Sequence, residues 1–200
     1  MTKQTTPATP PRRRRSDADR SAAAILAAAL DALASDPDAS MAEIARRAGV
    51  VRATIYVHFP TRESLLDAAM ERAVGDVAQA MTDAEPQRGE PTEALERVIR
   101  ATWRELGRFH SLLALNTSRL SVEELHRRHL PMTTQLEPLI ERGQKQGVFR
   151  SDLPASWHVA VIRAIVHTAS AELRSGRISE ADVEPVMLTT VFAAIGGSSA

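Results

Sequence analysis

The chain contains no cysteine, which removes disulfides, thiolate nucleophiles, Cys-based zinc sites and thiol redox sensing together. Aromatic residues are scarce, at 4% of 200 residues. β-Branched runs are short and no segment alternates as a strand, so the Ala- and Leu-rich chain is expected to be all-α. Basic and acidic residues balance at 25 each, so any attraction for a polyanion must be local. No apolar run approaches the roughly 18 residues that a membrane span needs. What remains, 44% hydrophobic and 25% charged residues, is ordinary for a globular protein. The length fits a small module joined to a larger one.

Charge is unevenly placed. The first sixty residues hold nine Lys/Arg against six acids, and four of the nine are Arg12–Arg15. Residues 1–18, with Pro7, Pro10 and Pro11 and little to bury, read as a disordered basic arm. Such an arm either adds unspecific electrostatic affinity for nucleic acid or serves as a solubilising tail. The Arg run followed by Ala22–Leu30 imitates a secretory signal. Asp17, Asp19 and Arg20 separate the two parts and Asp31 interrupts before any cleavage box, so a cytoplasmic location is expected.

From about 20 to 34, Ile25, Leu26, Ala29, Leu30 and Leu33 recur at helical spacing. After a break at Ser35-Asp-Pro-Asp38, Ser40-Met-Ala-Glu43 has the form of a capping box, in which hydroxyl and carboxylate each satisfy an orphan N–H. That second helix is expected to end at Gly49. A short third helix follows, 51–57, stopped by His58-Phe-Pro60, and Thr61 can cap a longer one over 62–81. Beyond a linker at 83–91, helices are expected at 92–106, 109–119, 121–130, 132–146 with a kink at Pro138, 155–175 and 182–195, about nine in all. No internal repeat is visible.

The stretch from Ser40 to Phe59 carries the functional argument. Two short helices crossing steeply need a small residue at the contact, a glycine in the turn and apolar residues to close the corner. Ala45, Gly49 and the set Ile44, Ala48, Val50 and Ile55 meet those needs. Arg46, Arg47, Arg52, Ala53, Thr54, Tyr56 and His58 are left comparatively free, and they suit base edges, thymine methyls and phosphates. An ordinary helical hairpin with surface arginines satisfies the spacing too.

The run Ser40-Met-Ala-Glu-Ile-Ala-Arg-Arg-Ala-Gly-Val-Val-Arg-Ala-Thr-Ile-Tyr-Val-His-Phe-Pro-Thr-Arg-Glu-Ser-Leu-Leu66 resembles the DNA-binding signature of the tetracycline-repressor (TetR) family. The resemblance covers about residues 20–70, with a weaker echo in the turn at 147–154. It implies a homodimer whose two modules occupy successive major grooves of a near-palindromic operator, acting as a ligand-responsive repressor rather than an enzyme. By position, Arg52, Ala53 and Thr54 fall where the family reads bases. Tyr56 and His58 fall at backbone or adjoining bases, and Ser40 and Arg62 at phosphates. The connection Ser35–Ala39 lacks the usual Gly-aromatic pair, and Arg62 replaces the usual Lys.

The implied organisation is a DNA-binding domain over 19–66 and a ligand-binding and dimerisation domain over 67–200. The helix expected at 155–175 is apolar nearly all round, so one side can face its own core and the other a partner, together with the helix at 182–195. A helix central to a monomeric core is the alternative. Trp103, Phe109, His110, Leu113, Asn116, Trp157 and His167 are candidate lining residues for an unidentified small-molecule effector. His126, His129 and Glu123 have metal-compatible spacing, but beside Arg127 and Arg128 a solvated face is the simpler reading, and neither metal nor cofactor is called for. The competing functional reading is a DNA-binding regulator controlled by a protein partner, without a small ligand.

Overall fold

Helices make up the architecture described by the computed structural model, which covers residues 11–107 and 121–196. They are α1 (Pro11–Ser35), α2 (Met41–Arg47), α3 (Arg52–His58), α4 (Arg62–Asp83), α5 (Pro91–Gly107), α6 (Val122–Lys145), α7 (Ala155–Arg174) and α8 (Glu180–Ile195). The all-α expectation holds. The helix expected at 109–119 lies outside the described residues and those expected at 121–130 and 132–146 are one, so eight helices are described where about nine were anticipated.

Two helices depart from the sequence reading. The segment expected as an arm to residue 18 is helical from Pro11 onward. Proline suits a first helical position because its missing N–H has no intrahelical partner there. In the body, the two helices expected at 121–130 and 132–146 are one, α6, which runs through both Pro131 and Pro138. Each interior proline removes a backbone donor and costs on the order of 3 kcal/mol. Burial of Leu136, Leu139 and Ile140 around Pro138 holds the helix through that break. At its end, Arg142 donates to the carbonyls of Gln87 and of Pro86, the latter at 3.1 Å.

The chain divides into two compact units, residues 1–70 and 71–200. In the first, α1 supplies Ile25, Ala29, Leu30 and Leu33, α2 supplies Met41, Ile44 and Ala45, and α4 supplies Leu65 and Ala69 to a shared apolar core. Within the stretch that imitates a secretory signal, Ile25, Ala28, Ala29 and Leu30 face the core, while Ala23, Ala24 and Ala27 are exposed. In the second unit, α5, α6, α7 and α8 enclose Leu95, Val98, Ile99, Leu139, Ile140, Val159, Ile162, Met187, Val191 and Ile195. No described helix is long and apolar enough to cross a membrane.

Phe149 ties the end of α6 to the end of α8. Its ring is 1% exposed, and its backbone forms an antiparallel bridge with Gly196, beside an Arg150 N–H donating to the Ile195 carbonyl at 3.0 Å. A Cβ placed on Gly143 would overlap that ring. Helix propensity alone favours Gly143→Ala by about 0.8–1 kcal/mol. Overpacking costs about 1–3 kcal/mol, so the substitution is expected to destabilise the protein. A rise in the denaturation midpoint of Gly143→Ala would contradict this packing.

Candidate nucleic-acid interface

The corner between α2 and α3 is closed by backbone geometry. Gly49 adopts φ 69°, and its N–H donates to the Arg46 carbonyl at 3.2 Å while the Val50 N–H donates to Ala45 at 3.0 Å. This paired closure needs a left-handed residue after the helix, which glycine supplies without strain. At the other end of α2, the Ser40 hydroxyl accepts the Glu43 N–H at 3.2 Å.

The second half of the expected capping box is not made. The Glu43 carboxylate instead receives Arg46 Nε at 2.9 Å, Arg46 Nη2 at 2.7 Å and Arg47 Nε at 2.9 Å. Hydrogen bonds between charged groups are stronger than one to a neutral amide, so the carboxylate turns along the helix. These two guanidinium partners hold the Glu43 carboxyl down at about 2. Arg46 and Arg47, expected to be free for DNA, are therefore paired within α2.

Helix α3 has one anchored side. Ile55 is 0% exposed, and Phe59, just past the helix end, is 8% exposed. Arg52, Ala53, Tyr56 and Val57 are exposed, while Thr54 and His58 are half-buried. The Arg52 guanidinium lies over the Tyr56 ring, 5.7 Å from its centroid, a cation–π arrangement that restrains both side chains. The five residues read from the sequence as base or backbone contacts on this helix thus share one short element, and none is its buried anchor.

Ser40 and Arg62 stand differently from the other expected contacts. Ser40 is exposed but already serves as the N-cap of α2. Arg62 is half-buried and donates to the carbonyls of Ala39 and of Pro37, the latter at 2.9 Å. It thereby ties the start of α4 to the α1–α2 connection, where the Asp38 N–H also donates to the Asp36 carboxylate at 3.0 Å. That clamp supplies the geometry left open by the missing Gly-aromatic pair. A guanidinium can bridge two carbonyls where an ammonium offers a point charge, so the Arg-for-Lys departure was the available signal.

Thr61 and Ser64 complete a reciprocal cap at the start of α4. The Ser64 N–H donates to Thr61 Oγ1 at 3.1 Å and the Thr61 N–H to Ser64 Oγ at 3.2 Å.

In the second unit, three of the seven candidate lining residues are described: Trp103, Trp157 and His167. Trp103 is 8% exposed within the core and Trp157 is 57% exposed. Ten residues of α7 separate Trp157 from His167, about 15 Å along the axis. Phe109, His110, Leu113 and Asn116 lie outside the described residues.

His167 instead meets a residue the sequence reading placed on a solvated face. His129 Nε2 and His167 Nε2 are 3.2 Å apart, with ring centroids at 5.4 Å. The centroid separation exceeds the N···N distance by about two ring radii, so the nitrogens point at each other and share one proton. No group of three or more metal-binding side chains occurs among the described residues.

The helix-turn-helix and its outward-facing α3 match a known family. Residues 25–69 fit the family model described as bacterial regulatory proteins, tetR family. The chain carries that family's DNA-binding module over the matched segment. It is 29% identical over 170 residues to the transcriptional repressor LfrR of Mycolicibacterium smegmatis, covering 84% of this chain and 87% of that one. It is 28% identical over 153 residues to the transcriptional regulator NfxB of Pseudomonas aeruginosa, covering 76% and 81% of the two chains. A solved LfrR structure, in complex with proflavine, superposes with a TM-score of 0.70 at 24% identity, covering 88% of this chain and 96% of that one. A regulator from Saccharomonospora viridis, solved with choline, gives 0.75 at 19% identity, covering 89% and 98%. Like these relatives, the protein is a DNA-binding transcriptional regulator and not an enzyme.

The histidine pair makes the regulator's body pH-sensitive. Burial, followed by the neighbouring His129, Arg163 and Arg174, lowers His167 from 6.5 to about 4. Folding therefore favours the neutral ring. The stability this contributes is complete above pH 6.5 and drains away as pH falls toward 4, by at most about 1.4 kcal/mol per pH unit. Thermal unfolding between pH 7.5 and 5 should show a steeper loss for the native protein than for His167→Gln. Parallel curves would remove the pair as the cause.

Proposed function

We propose that the regulator is a ligand-responsive repressor that binds a near-palindromic operator as a homodimer, with α3 of each copy in the major groove. One observation supports the DNA half of this reading above all others. A seven-residue helix is anchored by Ile55 and presents Arg52, Ala53 and Tyr56 to solvent, with Thr54 and His58 at its flanks. Arg52 is suited to a guanine edge, while the Tyr56 hydroxyl and His58 suit phosphates or adjoining bases. Ser40 stands at the N-terminus of α2, where its exposed hydroxyl and the helix dipole favour a phosphate. Arg62 acts as a positioning residue through the α1–α2 connection.

The dimer is supported by α7 and α8. They pack against one another yet leave Trp157 57% and Val186 52% exposed, large apolar groups that a second copy can cover. A two-fold pair of such helix pairs makes a four-helix interface. The effector is supported by the relative LfrR, a repressor whose solved structure holds proflavine. In this reading, ligand bound in the body favours a module spacing that no longer fits half-sites about 34–36 Å apart. No covalent step is needed.

Arg52→Ala and Tyr56→Ala are each expected to reduce operator retention in a gel shift at least tenfold, with the size-exclusion profile of the dimer unchanged. Native-level retention by both variants would defeat the assignment of α3 as the reading helix.

A further inference from the structure

Val57 is 78% exposed, the most exposed large apolar side chain among the described residues. It belongs to α3 but is neither its buried anchor nor one of its polar side chains. Successive residues on a helix advance by about 100°. Taking the buried Ile55 as the inward direction, Ala53 and Val57 straddle the opposite pole, at about 160° and 200°. Arg52 and Tyr56 lie on one flank, joined by their cation–π contact. Thr54 and His58 lie on the other. The helix thus carries an apolar ridge between two rows of hydrogen-bonding groups.

We propose that Val57, alongside Ala53, reads thymine 5-methyl groups and so sets an A·T requirement in each half-site. This rests on the reading that α3 enters the major groove, and it is independent of any effector. With the anchored side turned away from DNA, the ridge meets the groove floor and the flanks meet its walls. On that floor the C5-methyl of thymine is the one protruding apolar group. Purine N7 and O6 acceptors, or the cytosine N4 amine, would be desolvated against the Val57 methyls with no partner offered. A β-branched side chain is stiff at χ1, so little rotamer freedom is lost when it settles on a methyl. Ala53 lies about 6 Å along the helix axis from Val57, just under two base-pair steps, so the two side chains address different pairs.

The test begins by selecting duplexes from a random library with native protein and with Val57→Ala. At that exposure the substitution leaves no cavity, and circular dichroism melting confirms the fold. Each thymine of the native consensus is then replaced by uracil, symmetrically in both half-sites. Losing one buried methyl costs about fourfold in affinity, hence about fifteenfold across two half-sites. One symmetric thymine-to-uracil replacement should weaken the native protein by that amount and leave Val57→Ala unaffected. The Val57→Ala consensus should also lose its preference at that position. Equal sensitivity of both proteins to every replacement, or an unchanged consensus, overturns the proposal. An Arg52→Ala control separates the two readings. If it loses retention while Val57→Ala behaves as native, methyl reading fails and groove entry stands. If native protein selects no duplex, both fail together.

Discussion

A helix of seven residues cannot hold itself in water, because its few hydrogen bonds do not repay nucleation. Helix α3 also starts without a side-chain cap, since Val51 at that position has no group to accept an N–H. It persists because Ile55 and Phe59 are buried against its neighbours and because Gly49 turns the chain into place. With stability concentrated on one side, its other residues are released from structural duty. The same division of labour explains how an exposed valine is tolerated at the tip of a DNA-binding unit.

Around that anchor, the arginines sort into two kinds. Arg46 and Arg47 are held by Glu43, and Arg62 by two backbone carbonyls. Arg52 faces outward over Tyr56. Exposed ion pairs such as those of Glu43 contribute little to stability, about 0–1 kcal/mol, but they fix where positive charge is displayed. An identical spacing recurs at the start of α6, where the Ser121 hydroxyl accepts the Glu124 N–H and Glu124 binds Arg127 and Arg128. Its recurrence in the second unit, away from the helix-turn-helix, marks this serine–glutamate–arginine pattern as a helix-start device rather than a DNA-binding feature.

The body is built on tolerance of local rule-breaking. Pro131 and Pro138 sit inside α6 and Pro185 inside α8, and buried aliphatic neighbours offset the cost at Pro138 and Pro185. Gly143 is the reverse case, a poor helix residue retained where Phe149 approaches the backbone too closely for any side chain. The His129–His167 contact joins α6 to α7 by a shared proton, adding a polar, pH-dependent tie to an otherwise apolar packing.

Helix content, the glycine corner and the outward set on α3 were legible in the sequence, because each depends on residues within a few positions of one another. Periodicity places Ile55 inward and Arg52 outward without reference to anything distant. The fate of Arg62, the pairing of His129 with His167 and the continuity of α6 through two prolines were not legible. Each depends on partners tens of residues away, and only folding decides which carbonyl, ring or core a side chain meets. Local pattern determined which face of α3 stays outward and could meet a partner molecule. Tertiary packing decided which charged and polar groups remained free to do so, since a guanidinium or imidazole takes its role from its nearest partner in space rather than along the chain.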